Sequence, residues 1–211
     1  MRPVNWGRVI TAMVTPFDNQ LEVDYATARR LSSALSENGS DAILVGGTTG
    51  ESPSLTQDEK VRLLEAVLEA VGDRVPVIAG TGTNSTKDSV ALTEAADAAG
   101  AHGIMLVTPY YNKPPQQGLY DHFAHIAEKT ELPVMLYNVP GRTSVNLLPA
   151  TVEKLARVAN IVALKEASGS LDQITEAIRK VPGDFLVCSG DDSITLPVLS
   201  VGGYGIVSVA S

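Results

Sequence analysis

The sequence predicts an α/β protein, a (β/α)8 barrel that takes up residues 1–211 as one domain. Three observations predict it. Short apolar runs recur eight times along the chain. Longer segments with helical spacing separate them. The pitch of run plus helix is roughly 25–30 residues, the length of one βα unit. Near-continuous apolarity within each run means a strand covered on both faces, as in a parallel sheet. Eight strands favour closure into a barrel, with an open doubly wound sheet as the alternative. No G-x-G-x-x-G turn follows the first run, which weighs against a dinucleotide-binding version of the open sheet.

In order, the runs are "RVITAMVT" (8–15), "DAILVGG" (41–47), "VPVIAGTG" (75–82), "GIMLVTP" (103–109), "LPVMLYN" (132–138), "NIVALKE" (160–166), "DFLVCSG" (184–190) and "GIVSVAS" (205–211). The clearest helix lies between the second and third. Over 57–71, Val61, Leu64, Val67, Leu68 and Val71 fall on one face. Thr56 and Glu59 form a capping box ahead of it and Gly72 follows it. Ser85 and Ser170 mark further helix starts, and Gly39 and Gly100 mark stops. The eighth run reaches Ser211 with no covering helix after it, so the barrel is expected to be truncated after strand eight.

Composition narrows the function. Hydrophobic residues make up 44% of 211, enough for a large core. The net charge of −8 argues against nucleic acid or an anionic membrane as partner, though not against a small anionic substrate. The single cysteine, Cys188, excludes an internal disulfide and sits in an apolar run as a buried, inert thiol. The N-terminal stretch does not read as a signal peptide, and no apolar run has the length of a membrane span. A cytoplasmic protein is expected.

In a barrel of this kind, the C-terminal ends of the strands line the active site. Strand two runs into "GGTTGES". Glycine amides and the Thr48 and Thr49 hydroxyls there make a neutral cradle for a carboxylate or phosphate, or an ordinary turn in which a hydroxyl caps the next helix. Strand five carries Tyr137, on the same face as Met135. It is either a proton shuttle or a core aromatic with a satisfied hydroxyl. Strand six ends in Lys165, with Ala163 on its face. Neighbouring strands lie about 4.8 Å apart, so Tyr137 and Lys165 can face one cavity.

A neutral Lys165 amine would attack a ketone to form an imine, an electron sink; a salt bridge is the other reading. At the free pKa of about 10.4, roughly one lysine amine in a thousand is neutral at pH 7. Lowering that pKa by about three units costs about 4 kcal/mol, which burial can supply. Glu166 points the other way along the strand and is a poor partner. Arg142 in "PGRT" can grip a carboxylate with two hydrogen bonds or remain a solvated loop residue. Asp191 and Asp192 read as a helix N-cap rather than a metal pair. His122 and His125, three apart on a helix, lack a third ligand and read as surface or packing residues. No metal and no cofactor is expected.

Together, "GGTTGES" (46–52), "TPYYNKPP" (108–115), "YNVPGRT" (137–143) and "ALKEASG" (163–169) resemble the dihydrodipicolinate synthases. These belong to a pyruvate-dependent class I aldolase superfamily that also holds N-acetylneuraminate lyase and keto-deoxy sugar-acid aldolases. The resemblance covers the whole chain and implies an aldol condensation of pyruvate with aspartate semialdehyde in lysine and diaminopimelate biosynthesis. It implies imine formation on Lys165, proton relay by Tyr137, and a link through Thr48 to Tyr111 of a neighbouring subunit. It implies pyruvate carboxylate binding by Thr49, aldehyde-substrate binding by Arg142, and a pocket lined by the backbones of Gly190 and Val207. A homo-oligomer, a dimer of dimers, follows from the resemblance. So do a last barrel helix and a C-terminal helical domain, both absent from these 211 residues. Ser52, Asn84 and Tyr110 match an allosteric lysine pocket. Gln57, Lys60 and Asp88 stand where lysine-inhibited members carry histidines and a glutamate, which implies weak inhibition or none. The alternatives are another aldolase of the superfamily or an inactive truncated barrel.

Overall fold

The computed structural model describes residues 4–211. Eight parallel strands close into one barrel in sequence order, each hydrogen-bonded to the next and the last to the first. They are β1 (Val9–Ala12), β2 (Ala42–Val45), β3 (Val77–Gly80), β4 (Gly103–Val107), β5 (Val134–Asn138), β6 (Ile161–Glu166), β7 (Leu186–Ser189) and β8 (Gly205–Ser208). The helices are α1 (Tyr25–Glu37), α2 (Gln57–Val71), α3 (Thr86–Ala98), α4 (Gln116–Ala127), α5 (Pro140–Thr143), α6 (Pro149–Leu155), α7 (Leu171–Lys180) and α8 (Thr195–Ser200). All eight expected strands form, each inside its run. Val209, Ala210 and Ser211 follow β8, whose outward Ile206 is only half-buried.

Two apolar layers follow from strand alternation. Ile10, Leu44, Ile78, Met105, Met135, Ala163, Cys188 and Val207 fill the barrel interior. Ile43, Val77, Ile104, Leu106, Leu136, Leu164 and Val187 point outward and pack under the helices. Trp6, 2% exposed, joins the inner layer.

One pairing breaks the alternation. Val134 pairs with Ile161, but Met135 pairs with Ala163, so β6 carries one extra residue against β5. Val162 and Ala163 both join the inner layer, and beyond them the pairing is regular through Tyr137–Lys165 and Asn138–Glu166. The bulge is invisible in the sequence because an extra valine in an apolar run leaves no mark.

Local signals account for the helix ends. Thr56 caps α2 with both halves of its capping box in place, and Ser85 and Ser170 cap α3 and α7. Gly39 and Gly100 adopt positive φ just beyond α1 and α3. The buried stripe of α2 is broader than its spacing suggests. Leu63 and Ala66 are buried with Leu64, Val67 and Val71, whereas Val61 and Leu68 are half-exposed. The helix packs against α1 as well as the sheet, which widens its apolar face toward Leu63.

Candidate active site

The C-terminal mouth of the barrel holds a cavity of about 290 Å³. Its lining includes Thr48, Thr49, Tyr137, Arg142, Lys165, Gly190 and Asp192, with Val139, Ala167, Asp191 and Val209 completing the wall. Alternation on the last rungs of β5 and β6 creates the centre. Tyr137 and Lys165 are register partners and both turn inward. The Lys165 Nζ sits 4.4 Å from the centre of the Tyr137 ring. They are 5% and 3% exposed, so the amine reaches solvent only through the cavity.

Among the described residues no carboxylate lies within ion-pair distance of Lys165. The salt-bridge reading of the sequence is thereby removed. Burial lowers the amine from 10.5 to about 8, the Asp192 carboxylate opposes that, and the Arg142 guanidinium adds to it. At about 8, roughly one amine in ten is neutral at pH 7. The Tyr137 phenol is raised by burial, while the Thr48 hydroxyl and Arg142 draw it down. The Cys188 thiol is pushed up to about 12 by burial and is inert, as its apolar run implies.

The "GGTTGES" turn shows why it is glycine-rich. Gly46 has φ 66°, open to glycine at little cost. A Cβ on Gly80, at the end of the adjacent strand, would fall 2.4 Å from the Gly46 carbonyl oxygen, so the two strand ends meet backbone to backbone. Thr48 and Thr49 do not cap the next helix. The following 3-10 turn, Ser52–Ser54, starts at Glu51 without a side-chain cap, and α2 is capped by Thr56. Both threonines line the cavity instead.

Arg142 lies on the four-residue α5, just past the end of β5, and lines the cavity. A second hollow of about 240 Å³ shares Thr48, Val139 and Arg142 with the first and extends to Ser52 and Tyr110. Asn84 is outside both; its carbonyl accepts from Asn112 Nδ2 at 2.8 Å. Val207 sits one layer down, fully buried in the barrel interior, and Val209 forms the rim at that strand. Tyr111 is 87% exposed, adopts φ 72° and lines neither hollow.

The remaining polar candidates separate cleanly. Asp191 caps the 3-10 turn Asp192–Ile194 by accepting from the Ser193 amide, as the N-cap reading holds. Asp192 was grouped with it in the sequence, yet it reaches across to β8, accepting from Ser208 Oγ and the Val209 amide. That places a carboxylate on the cavity wall, which two adjacent aspartates alone do not announce. His122 is buried against α3 with Nδ1 on the Thr86 hydroxyl, and His125 is exposed. Among the described residues no group of three potential metal ligands comes together, and no helix is long and apolar enough to cross a membrane.

Comparison with known proteins agrees with this geometry. Residues 5–211 match the model of the Dihydrodipicolinate synthetase family. A 4-hydroxy-tetrahydrodipicolinate synthase of Heliobacterium modesticaldum is 59% identical over 208 residues, covering 99% of this chain and 69% of the relative. The crystal structure of a dihydrodipicolinate synthase from Bacillus anthracis superposes with a TM-score of 0.97 at 54% identity, covering 98% of this chain and 71% of that one. The Acinetobacter baumannii dihydrodipicolinate synthase complexed with pyruvate superposes with a TM-score of 0.95 at 41% identity, covering 98% and 71%. A barrel whose mouth buries one unpaired lysine beside a tyrosine therefore has a family: the chain belongs to the dihydrodipicolinate synthetases, class I aldolase-type lyases of lysine biosynthesis through diaminopimelate.

Proposed function

We propose that Lys165 is the amine that joins pyruvate and that the cavity around it carries out the condensation with aspartate semialdehyde. The observation that carries this reading is the burial of Lys165 without a carboxylate partner, against the Tyr137 ring. A neutral amine attacks the pyruvate ketone, and water leaves to give an imine. Once protonated, the imine nitrogen draws electrons from the adjacent methyl group. Loss of a methyl proton gives an enamine, whose carbon attacks the aldehyde and forms the new carbon–carbon bond. The amino group of the second substrate then attacks the imine carbon, closes the ring and releases Lys165.

Tyr137 stands where a phenol can take and return these protons, and Thr48 beside it passes them outward. Thr49 and the amides of its turn hold the pyruvate carboxylate. Arg142, at the other side of the mouth, holds the carboxylate of the aldehyde substrate. The Gly190 backbone completes the pocket, with Val209 rather than Val207 at the rim. The pyruvate complex of the Acinetobacter relative supports the first substrate.

Tyr111 supports a homo-oligomer, at least a dimer and by resemblance a dimer of dimers. A large aromatic held at φ 72° and almost fully exposed suits delivery into a neighbour's site. The lone buried cysteine suits a reducing, cytoplasmic setting. Ser52, Asn84 and Tyr110 leave only part of a lysine pocket. Lys60, half-buried beside Asp88, adds a cation where a lysine ligand would bring another. A lysine titration is expected to show no inhibition at micromolar concentration.

Borohydride reduction in the presence of pyruvate, followed by peptide mass measurement, tests the reading. A covalent adduct on Lys165 is expected. A chain left unmodified, or modified elsewhere, overturns it.

A further inference from the structure

The rung beyond Tyr137–Lys165 pairs Asn138 with Glu166. Alternation turns both side chains outward, away from the cavity, yet they are 0% and 1% exposed. An amide and a carboxylate buried on the outward face of these strands need an account, because each must have its hydrogen bonds met. Here they are met by each other and by the segments that build the site.

Asn138 Nδ2 donates to both Glu166 oxygens, at 3.0 and 3.1 Å, and to Asn146 Oδ1 at 2.8 Å. Asn138 Oδ1 accepts from the Leu147 amide at 2.9 Å. One side chain thus ties the start of the segment 139–146 to its end, and Arg142 rides in the middle of that closed loop. Glu166 binds the other side. It accepts from the Ser168 amide at 2.7 Å and from Gln173 Nε2 at 3.2 Å. The Ser168 turn sets Ala167 into the cavity wall, against Gly190 and Lys165. Gln173, in the first turn of α7, in turn exchanges two hydrogen bonds with Asn146.

We propose that the Asn138–Glu166 pair consists of positioning residues that fix the Arg142 loop at a set distance from Lys165, and so govern binding of the second substrate. The inference rests on the roles given above to Arg142 and Lys165. Neither positioning residue touches substrate. Their effect passes through the loop closure on one side and the strand end on the other. The carboxylate receives only donors, so the pair is directional: an amide on β5 and an acid on β6.

Three full-chain variants test it. Asn138→Asp sets two acids face to face, and Glu166→Gln leaves at least one donor without its acceptor. The double variant restores an acid–amide pair with the roles exchanged. Each single variant is expected to raise KM for aspartate semialdehyde by about tenfold or more, the scale of a displaced binding group. Borohydride trapping of pyruvate on Lys165 is expected to stay within about twofold, which separates positioning from collapse. The double variant is expected to recover most of the loss. If Asn138→Asp does not fold, Glu166→Gln and the double variant decide. An unchanged KM, a fall in trapping as large as the fall in condensation, or a double variant as impaired as the sum of the singles overturns the inference. Trapping that succeeds in the unaltered chain while KM stays fixed in the variants sinks this inference alone. Failure of trapping in the unaltered chain sinks the reading beneath it as well.

Discussion

Lys165 and Tyr137 are register partners on neighbouring strands, and the lysine nitrogen rests 4.4 Å from the centre of the tyrosine ring. The ring face gives an ammonium modest attraction. It is no substitute for water or for a carboxylate, so burial still lowers the amine to about 8. In the imine chemistry proposed above, the same contact places a phenol beside the amine.

The first consequence is a pH profile. With the amine at about 8, its neutral fraction rises about tenfold per pH unit below that value and levels above it. The rate of pyruvate trapping by borohydride is expected to climb from pH 6 to about 8 and then flatten. A rate independent of pH across that range contradicts the prediction.

Lys165 also burdens the fold. Its amine is lower in the folded chain than the ordinary 10.5, so folding disfavours the ammonium. The cost is fully present below about 8, fades as pH rises, and is gone above about 10.5. Lys165→Met, which removes the cation and keeps the bulk, is expected to stabilise the chain at pH 7 by about 3 kcal/mol at most. The gain shrinks toward pH 10. Urea unfolding at the two pH values measures it, and a variant less stable at pH 7 refutes it.

Gly190 is held by contact rather than by turn geometry. A Cβ there would lie 2.9 Å from Ala167 Cβ and 3.0 and 3.1 Å from Lys165 Cγ and Cε. Gly190→Ala therefore pushes directly on the Lys165 side chain. Trapping is expected to slow by about a hundredfold, as for a misplaced reacting group, while the fold persists. Circular dichroism and trapping on one sample separate the two effects.

His122 predicts acid sensitivity. Its ring is 6% exposed and Nε2 has no hydrogen-bond partner. Burial lowers it from 6.5 to about 4, with the nearby His125 adding to the shift. The unfolded chain takes up a proton near 6.5 while the folded chain resists until about 4, so stability falls as pH drops through that window. The loss is about 3 kcal/mol at most. His122→Asn keeps a partner for the Thr86 hydroxyl and removes the titration, so its unfolding midpoint is expected to vary less between pH 7 and 4.5.

Much of this was legible before any coordinates. Strand runs with apolar residues on both faces, a capping box at Thr56, and polar residues massed at strand ends reveal the barrel and its active end. Lys165 stands out because a charge at the end of a buried run is costly. The Asn138–Glu166 rung was not legible, since one lies inside "YNVPGRT" and the other beside the lysine, and nothing local says that they meet. Asp192 was obscured by its neighbour, because two adjacent aspartates look alike until β8 arrives beside one of them. Closing the barrel supplies that information, and closure is a property of pairs far apart in sequence.

The bulge at Val162 has a consequence for how this enzyme can vary. Counting straight from the Val134–Ile161 pair, Tyr137 would stand opposite Leu164, and the next step along β6 would bring an acid inward in place of an amine. What position 162 contributes is parity, not chemistry. Many aliphatic side chains can occupy it, and deleting it would give regular pairing with Lys165 still opposite Tyr137; flattening the bulge with the residue retained would instead turn Glu166 inward in place of Lys165.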